Sequence, residues 1–312
     1  TEYAALACAR WIGRGDKEGA DGAAVDAMPL LLDTVSMDGV VVIGEGEKDE
    51  APMLYNGERI GDGTPPEVDI AVDPLEGTEL CAKGLPNAIA TIALAERGTM
   101  FDPGPCVYML KMATSRDMAH LLDLDRPIGE TLELMAGEKG VGVGDLVVIM
   151  LDRPRHDEYM EEIRDVGARI RLIPHGDVSA ALAAVTEGSP VDLLFGIGGT
   201  PEGVLAAAAI KCTGGQILGR LHPSSEEERR ATLEAGYDLD EVLDRDRLVS
   251  GNSAFFAATG VTDGEMLDGV RFTRGGATTE SVSMRARSGT VRTITARHDR
   301  AKLREIVGER LG

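Results

Sequence analysis

The stretch LVVIMLDRPRHDEYMEEIRDVGARIRLIPHGDVSAALAAV, residues 146–185, reads as strand, helix, strand, helix. An apolar run of strand length at 146–151 precedes a helical pattern at 156–166, and a second run at 169–173 precedes a helix at 178–187. A third run at 191–197 then precedes an Ala-rich helix at 202–212. Such alternation calls for a sheet with parallel stretches and right-handed crossovers, hence an α/β fold. Upstream, strand-length runs fall at 40–43, 68–72, 88–95 and 107–112, with few helices between them. They follow an opening helical stretch that reaches about Val35 and in which Pro29 should kink or restart the helix. Downstream come a strand at 216–221, a solvated helix at 224–234 with Ser225 and Glu228 at capping-box spacing, and a hairpin of 282–286 and 290–295 around Ser288-Gly289. Because the texture changes at Leu146, the expected division lies near Gly140, in the Gly-rich segment 137–144, giving domains 1–140 and 141–312.

The 312 residues are 43% hydrophobic but only 4% aromatic, which favours thin Val/Ile strands packed on Ala-rich helices over an aromatic-filled sandwich. Lys and Arg total 32 against 53 Asp and Glu, a net charge of −21, which argues against duplex nucleic acid or an anionic membrane face as partner. Binding a phosphate-rich ligand would need a local positive exception. The chain has no apolar run of about 18 residues and no charged-then-apolar leader, so neither a membrane span nor an intact secretory signal is expected. Cys8, Cys81, Cys106 and Cys212 are scattered with no CxxC pair, which suggests neither a zinc knot nor a disulfide framework and fits a reducing cytoplasm.

Between Glu45 and Glu79 stand eleven carboxylates against two cations, Lys48 and Arg59. Two carboxylates converging within about 4 Å repel by about 4 kcal/mol at an effective dielectric of 20, and a cation is the usual remedy. Oxygen-only donors without histidine suit Mg²⁺ or Mn²⁺ and not zinc. A solvated loop is the alternative, and it is accepted for Glu50, Glu58, Asp62 and Glu67. It is weaker for Asp73-Pro74-Leu75-Glu76-Gly77-Thr78, where a carboxylate ends a strand, proline fixes a turn and glycine permits close approach of the backbone. Neither Asp49 nor Asp62 begins an EF-hand loop. Gly196 to Gly199 fit an anion-binding strand-to-helix turn or an ordinary one, but the sixth position counted from Gly196 is Pro201, which breaks the dinucleotide-binding spacing.

The runs GEGEKDEAPML at 44–54 and DIAVDPLEGT at 69–78 resemble the class II fructose-1,6-bisphosphatases of bacteria. So, in the same order, do RGDK at 14–17, ADGAAV at 20–25, RPRHD at 153–157, GIGGTPEG at 196–203 and ATGVT at 258–262. The resemblance covers nearly the whole chain. It implies the lithium-sensitive, metal-dependent sugar and inositol phosphatase superfamily, a layered αβαβα architecture with two sheet-containing domains, and an N-terminal piece before Thr1.

Carried over position by position, the resemblance makes Asp21, Glu45, Asp73, Glu76 and Glu202 the metal ligands, for Mg²⁺ or Mn²⁺. Thr78 matches the catalytic threonine, although a helix-capping role is open as well. Substrate contacts match Glu76, Gly77, Thr78, Tyr108, Arg153, Pro154, Arg155, His175, Gly176, Asp177 and Gly199. The two arginines are the positive exception that the net charge demands, since guanidinium forks suit a phosphate. Tyr108 reads equally as core filling, and Lys17, which matches a family lysine, as a solvated side chain. At His175 the family commonly carries aspartate, so the sugar clamp is reduced to Asp177, unless His175 turns outward. The implied activity is hydrolysis of the 1-phosphate of fructose 1,6-bisphosphate, a gluconeogenic step, by a cytoplasmic homo-oligomer, dimer or tetramer. Sedoheptulose 1,7-bisphosphate is the nearest alternative substrate. A non-catalytic acidic cation-binding protein is the alternative from another class, and it would need neither Arg153 nor Arg155.

Overall fold

A computed structural model describes residues 1–46 and 53–302. Its strands in chain order are β1 (Asp38–Ile43), β2 (Arg59–Ile60), β3 (Glu67–Glu76), β4 (Ile89–Glu96), β5 (Tyr108–Thr114), β6 (Val147–Leu151), β7 (Arg169–Ile173), β8 (Leu193–Gly199), β9 (Gln216–Leu221), β10 (Leu243–Asp244), β11 (Phe255–Gly260), β12 (Arg271–Phe272), β13 (Gly276–Arg285) and β14 (Thr290–Asp299). Each apolar run read from the sequence is a strand, and the two mixed sheets with their helices make the fold α/β. Pro29 restarts the opening helical stretch as the first residue of the short helix Pro29–Leu32. Ser225 caps the helix Glu226–Glu234 by accepting from the Glu228 amide.

The chain forms two compact units, Thr1–Met100 with the described part of Gly251–Gly312, and Phe101–Ser250. The division expected near Gly140 falls inside the second unit. Gly140 is the left-handed C-cap, φ 69°, of the helix Ile128–Lys139, so the glycines there end a helix that the sequence reading did not foresee. β5 belongs to the second sheet, between β9 and β8, whereas β11 returns to the first, between β4 and β13.

The first sheet runs β12-β13-β11-β4-β3-β1-β2, with β14 paired to β13; β1 and β3 are parallel and their neighbours antiparallel. Helices Glu2–Cys8 and Lys17–Ala27 lay Ala4, Ala5, Cys8, Ala20 and Ala24 against Val41, Ile70 and Val72, a small-residue seam that lets helix and strand approach closely. The second sheet runs β10-β9-β5-β8-β6-β7, with β6, β7 and β8 parallel as the alternation of strands and helices required. Met112, Leu132, Met135, Val148, Met150, Ile163 and Phe195 form its core with the helices Ile128–Lys139 and Asp157–Asp165. The alternate positions Met109 and Lys111 of β5 meet the helices Thr200–Thr213 and Asp177–Val185 instead.

β6 and β8 are matched only at Val148–Leu193 and Ile149–Leu194, while β6 stays paired to β7 as far as Leu151–Ile173. His156, fully buried, bridges the split: its Nδ1–H donates to the Leu151 carbonyl at 2.7 Å and its Nε2 accepts the Ile197 amide at 2.8 Å. Burial, reinforced by the positive charge of Arg155, holds the ring below the usual imidazole range, so it stays neutral and keeps both bonds.

His156→Leu leaves a buried carbonyl and a buried amide without partners, which should cost about 1–3 kcal/mol of unfolding free energy in urea at pH 7.5. Because the folded ring is the weaker base, this stabilisation is present above the unfolded value of 6.5 and is lost as pH falls below it. The gap between wild type and variant should therefore narrow from pH 7.5 to pH 5.5, and a gap independent of pH would contradict a neutral buried ring.

Candidate active site

In the first unit the parallel register sets Ile43 opposite Ala71, so Glu45 and Asp73, each two residues farther on, emerge at the same end of the sheet. β3 carries an irregularity between Asp73 and Glu76: Asp73 pairs with Thr91 and Glu76 with Ile89. The Asp73 carboxylate accepts the Leu75 amide at 3.1 Å, which shapes the Pro74 turn and brings Glu76, only 4% exposed, to the end of the strand. Gly77, at φ 85°, then turns the chain into the helix Thr78–Lys83. The Thr78 hydroxyl lies 3.1 Å from the Leu75 carbonyl and 3.3 Å from Asp21 Oδ1 on the helix Lys17–Ala27.

Burial pushes the Asp21 carboxyl above the ordinary carboxylate range, with the Thr78 hydroxyl pulling the other way. Burial and then the charge of Asp21 push Glu45 up to about 7. Like charges in a half-buried setting are what a divalent cation relieves.

The remaining acids divide by what they touch. Glu47, Lys48, Asp49 and Glu50 lie outside the described residues. Asp62 and Glu67 are exposed, as expected. Glu58 is half-buried and accepts the Leu54 amide, so it serves the fold and is not a solvated loop residue. Asp69, 2% exposed, accepts the Thr99 and Met100 amides at 2.8 and 3.1 Å. Lys17 is exposed.

The second unit gathers its predicted positions at the carboxyl ends of β6, β7 and β8, where ligands of parallel sheets bind. Arg155 after β6 donates from Nε and Nη2 to the Ile197 carbonyl of β8, at 3.1 and 2.8 Å, and its guanidinium lies 4.9 Å from the Tyr108 ring centre. Tyr108 therefore has a partner at the strand end and is not plain core filling. Arg153 donates to the carbonyls of Asp152 and Pro174, at 2.8 and 2.7 Å, tying the loop with Pro154 to the turn of His175 and Gly176. His175 is half-buried, and Gly176, at φ 103°, starts the helix Asp177–Val185. Glu202 stands in the first turn of the helix Thr200–Thr213, whose N-cap is Gly199. It folds back so closely that a Cβ on Gly199 would lie 1.8 Å from Glu202 Oε2. Burial raises the Glu202 carboxyl, with Lys111 opposing and Asp177 adding to the shift.

Lys111 was missed from sequence, as was His156. Lys111 is 2% exposed, with Nζ 2.5 Å from Asp177 Oδ2 and 3.0 Å from the Gly199 carbonyl. A lone lysine inside the apolar run 107–112 was the available signal, since lysine is almost never fully buried unless paired.

Among the described residues no group of three or more Asp, Glu, His or Cys side chains is placed to hold a metal ion. What the first unit supplies is the chemistry: carboxylates at one sheet end, Glu45 among them raised by burial, and the Thr78 hydroxyl beside the helix carboxylate Asp21, raised likewise. That donor set fits a hard divalent cation. Among the described residues no helix is long and apolar enough to cross a membrane.

An α/β protein with carboxylates and a threonine at one strand end, and arginines at another, has the equipment of a metal-dependent phosphoric monoester hydrolase. The chain belongs to the family of bacterial fructose-1,6-bisphosphatases, glpX-encoded, whose model it matches over residues 1–298. It is 43% identical over 322 residues to the D-fructose 1,6-bisphosphatase class 2/sedoheptulose 1,7-bisphosphatase of Synechococcus sp. (strain JA-3-3Ab), covering 95% of this chain and 92% of that protein. It is 41% identical over 311 residues to the fructose-1,6-bisphosphatase class 2 of Haemophilus influenzae (strain ATCC 51907 / DSM 11121 / KW20 / Rd), covering 96% and 93%.

Glu45 supplies a test that needs no substrate. Its carboxyl titrates at 4.5 in the unfolded chain and at about 7 in the folded one, so between these values the folded protein holds the extra proton and stability falls as pH rises. In EDTA the melting temperature should carry this downward component from pH 5 to 7.5, and Glu45→Gln should remove it. Mn²⁺ or Mg²⁺ should raise the melting temperature more at pH 8 than at pH 5. Equal slopes for wild type and Glu45→Gln would show that Glu45 is not in this environment.

Proposed function

We propose that the chain hydrolyses the 1-phosphate of fructose 1,6-bisphosphate to fructose 6-phosphate and inorganic phosphate, as a gluconeogenic enzyme of the cytoplasm acting as a homo-oligomer, dimer or tetramer. The observation that carries this reading, beside family membership, is the Thr78 hydroxyl 3.3 Å from Asp21 Oδ1 at the end of the β3 segment that holds Asp73 and Glu76. In this proposal Asp21, Glu45, Asp73, Glu76 and Glu202 ligate Mg²⁺ or Mn²⁺. When bound, the cation lowers the pKa of water and takes up charge on the phosphoryl oxygens.

Thr78 is too weak a base to act alone. By donating to Asp21 it turns an oxygen lone pair towards the attacking water and orients it, and the neighbouring carboxylates supply the proton acceptor. Glu76, Gly77 and Thr78 meet the reacting end of the substrate. Arg153, Pro154 and Arg155 with Tyr108 take the other phosphate: Arg155 has its Nε edge fixed on the Ile197 carbonyl and offers the Nη1 edge. His175, Gly176, Asp177 and Gly199 hold the sugar.

Release of phosphate from fructose 1,6-bisphosphate with Mn²⁺ or Mg²⁺, run beside inositol phosphates, is the direct assay. Thr78→Ala should lower kcat by about 100-fold or more with KM within about threefold. A large rise in KM at unchanged kcat would make Thr78 a binding residue only.

A second substrate, sedoheptulose 1,7-bisphosphate, is favoured by the double name of the Synechococcus relative and by His175 at the sugar clamp. Histidine donates or accepts where aspartate only accepts, so His175→Asp should shift the ratio of kcat/KM between the two sugars, by an amount that varies from pH 6 to 8.5. Identical ratios for both proteins at every pH would remove His175 from the substrate site.

A further inference from the structure

Lys111 is nearly without solvent access, has no part in the mechanism above, and holds two groups from separate helix starts. Its ammonium is 2.5 Å from Asp177 Oδ2, in the first turn of the helix Asp177–Val185, and 3.0 Å from the carbonyl of Gly199, the N-cap of the helix Thr200–Thr213. Both side chains of the ion pair are buried, at 2% and 9% side-chain exposure, which makes it costly to break from either side. The backbone is shaped to admit it: a Cβ on Gly198 would lie 1.8 Å from Asp177 Oδ2 and 2.9 Å from Lys111 Cε. No residue larger than glycine fits between the strand and this pair.

We propose that Lys111 is the positioning residue of the sugar-binding end of the site, ordering the Asp177 carboxylate and the Gly199 carbonyl together without touching substrate. The proposal rests on the reading of Asp177 and Gly199 as sugar contacts. One ammonium satisfies Asp177 Oδ2 and leaves the carboxylate's other oxygen to accept from a sugar hydroxyl. The same ammonium fixes the Gly199 peptide at the turn into the next helix. With Lys111 replaced by an apolar side chain, Asp177 is a buried charge without its counter-ion and must turn away or take up a proton. In either case the sugar contact weakens, and Glu202 loses the positive charge that opposes its rise, so the assays are run at saturating Mn²⁺.

The test is a double-mutant cycle read in KM and kcat separately, on whichever sugar bisphosphate the wild type hydrolyses, with melting temperatures for every variant. Lys111→Met should raise KM about tenfold or more and change kcat by less than about threefold. Asp177→Asn should raise KM by itself, and Lys111→Met/Asp177→Asn should raise it by clearly less than the product of the two single effects, because a neutral Asn no longer needs the cation and only the Gly199 contact is still lost. The paired variant leaves no orphaned charge and should fold even if Lys111→Met does not. Should Lys111→Met fail to fold, Lys111→Gln takes its place: it keeps a donor to Gly199 and removes the charge, and it should raise KM about fivefold. A KM within twofold of wild type for a folded Lys111 variant, or KM effects that multiply in the paired variant, overturns the proposal. An unchanged KM in Asp177→Asn overturns the reading of Asp177 as a sugar contact, and absence of any bisphosphate hydrolysis by wild type overturns the proposed function. These two results are distinct from a failure at Lys111.

Discussion

Strands β6 and β8 part company after Ile149 and Leu194, and the peptide of Ile197 is left without a neighbouring strand on that side. A buried amide and carbonyl cannot go unpaired, so the N–H and C=O of this one residue dictate what surrounds them. His156 takes the amide, and the Arg155 fork takes the carbonyl. Arg155, once held there, stacks on Tyr108, and its neighbour Arg153 reaches across to the Pro174 carbonyl. The placement of both guanidinium groups at the carboxyl ends of the parallel strands thus follows from a single interrupted ladder.

The two units deal with buried negative charge differently. In the second, Asp177 has a counter-ion of the chain's own, Lys111, admitted because Gly198 and Gly199 carry no side chain to obstruct Asp177, Lys111 or Glu202. In the first, Asp21 raises Glu45 further, and in our proposal a divalent cation from solution supplies the missing charge. The Asp177–Lys111 pair is then complete on folding, whereas in our proposal the Asp21–Glu45 pair is completed by the ion.

Local pattern made most of this architecture legible. Apolar runs of strand length located β1, β3 to β9 and the β13–β14 hairpin, and their alternation with helices from Leu146 onward gave the sense of β6, β7 and β8; β3 runs on to Glu76, three residues past the Asp73 end read from the sequence. The failures are non-local. Residues 255–260, FFAATG, look like nothing in particular until β4 and β13 flank them, and the partner strands supply what the local pattern lacks. The glycines at 137–144 resemble a linker because a helix C-cap and a loop share their composition. The site residues came from motif resemblance and not from periodicity. Lys111 and His156 were given no role by the resemblance, because what they do is set by partners far along the chain: Asp177 and Gly199 for Lys111, and Ile197, 41 residues away, for His156.

The first unit is discontinuous, and this bears on how the chain is made. On the ribosome, β4 emerges with one edge open, because β11, which pairs with it, follows only after the whole of the second unit. The second unit has no such dependence: its segment is continuous, and its ends already meet through the Phe101 amide and the Leu248 carbonyl at 2.9 Å. The order of synthesis therefore lets the second unit fold first and independently. The half with the carboxylates and Thr78 must wait, with the edge of β4 exposed, until residues 255–260 have left the tunnel.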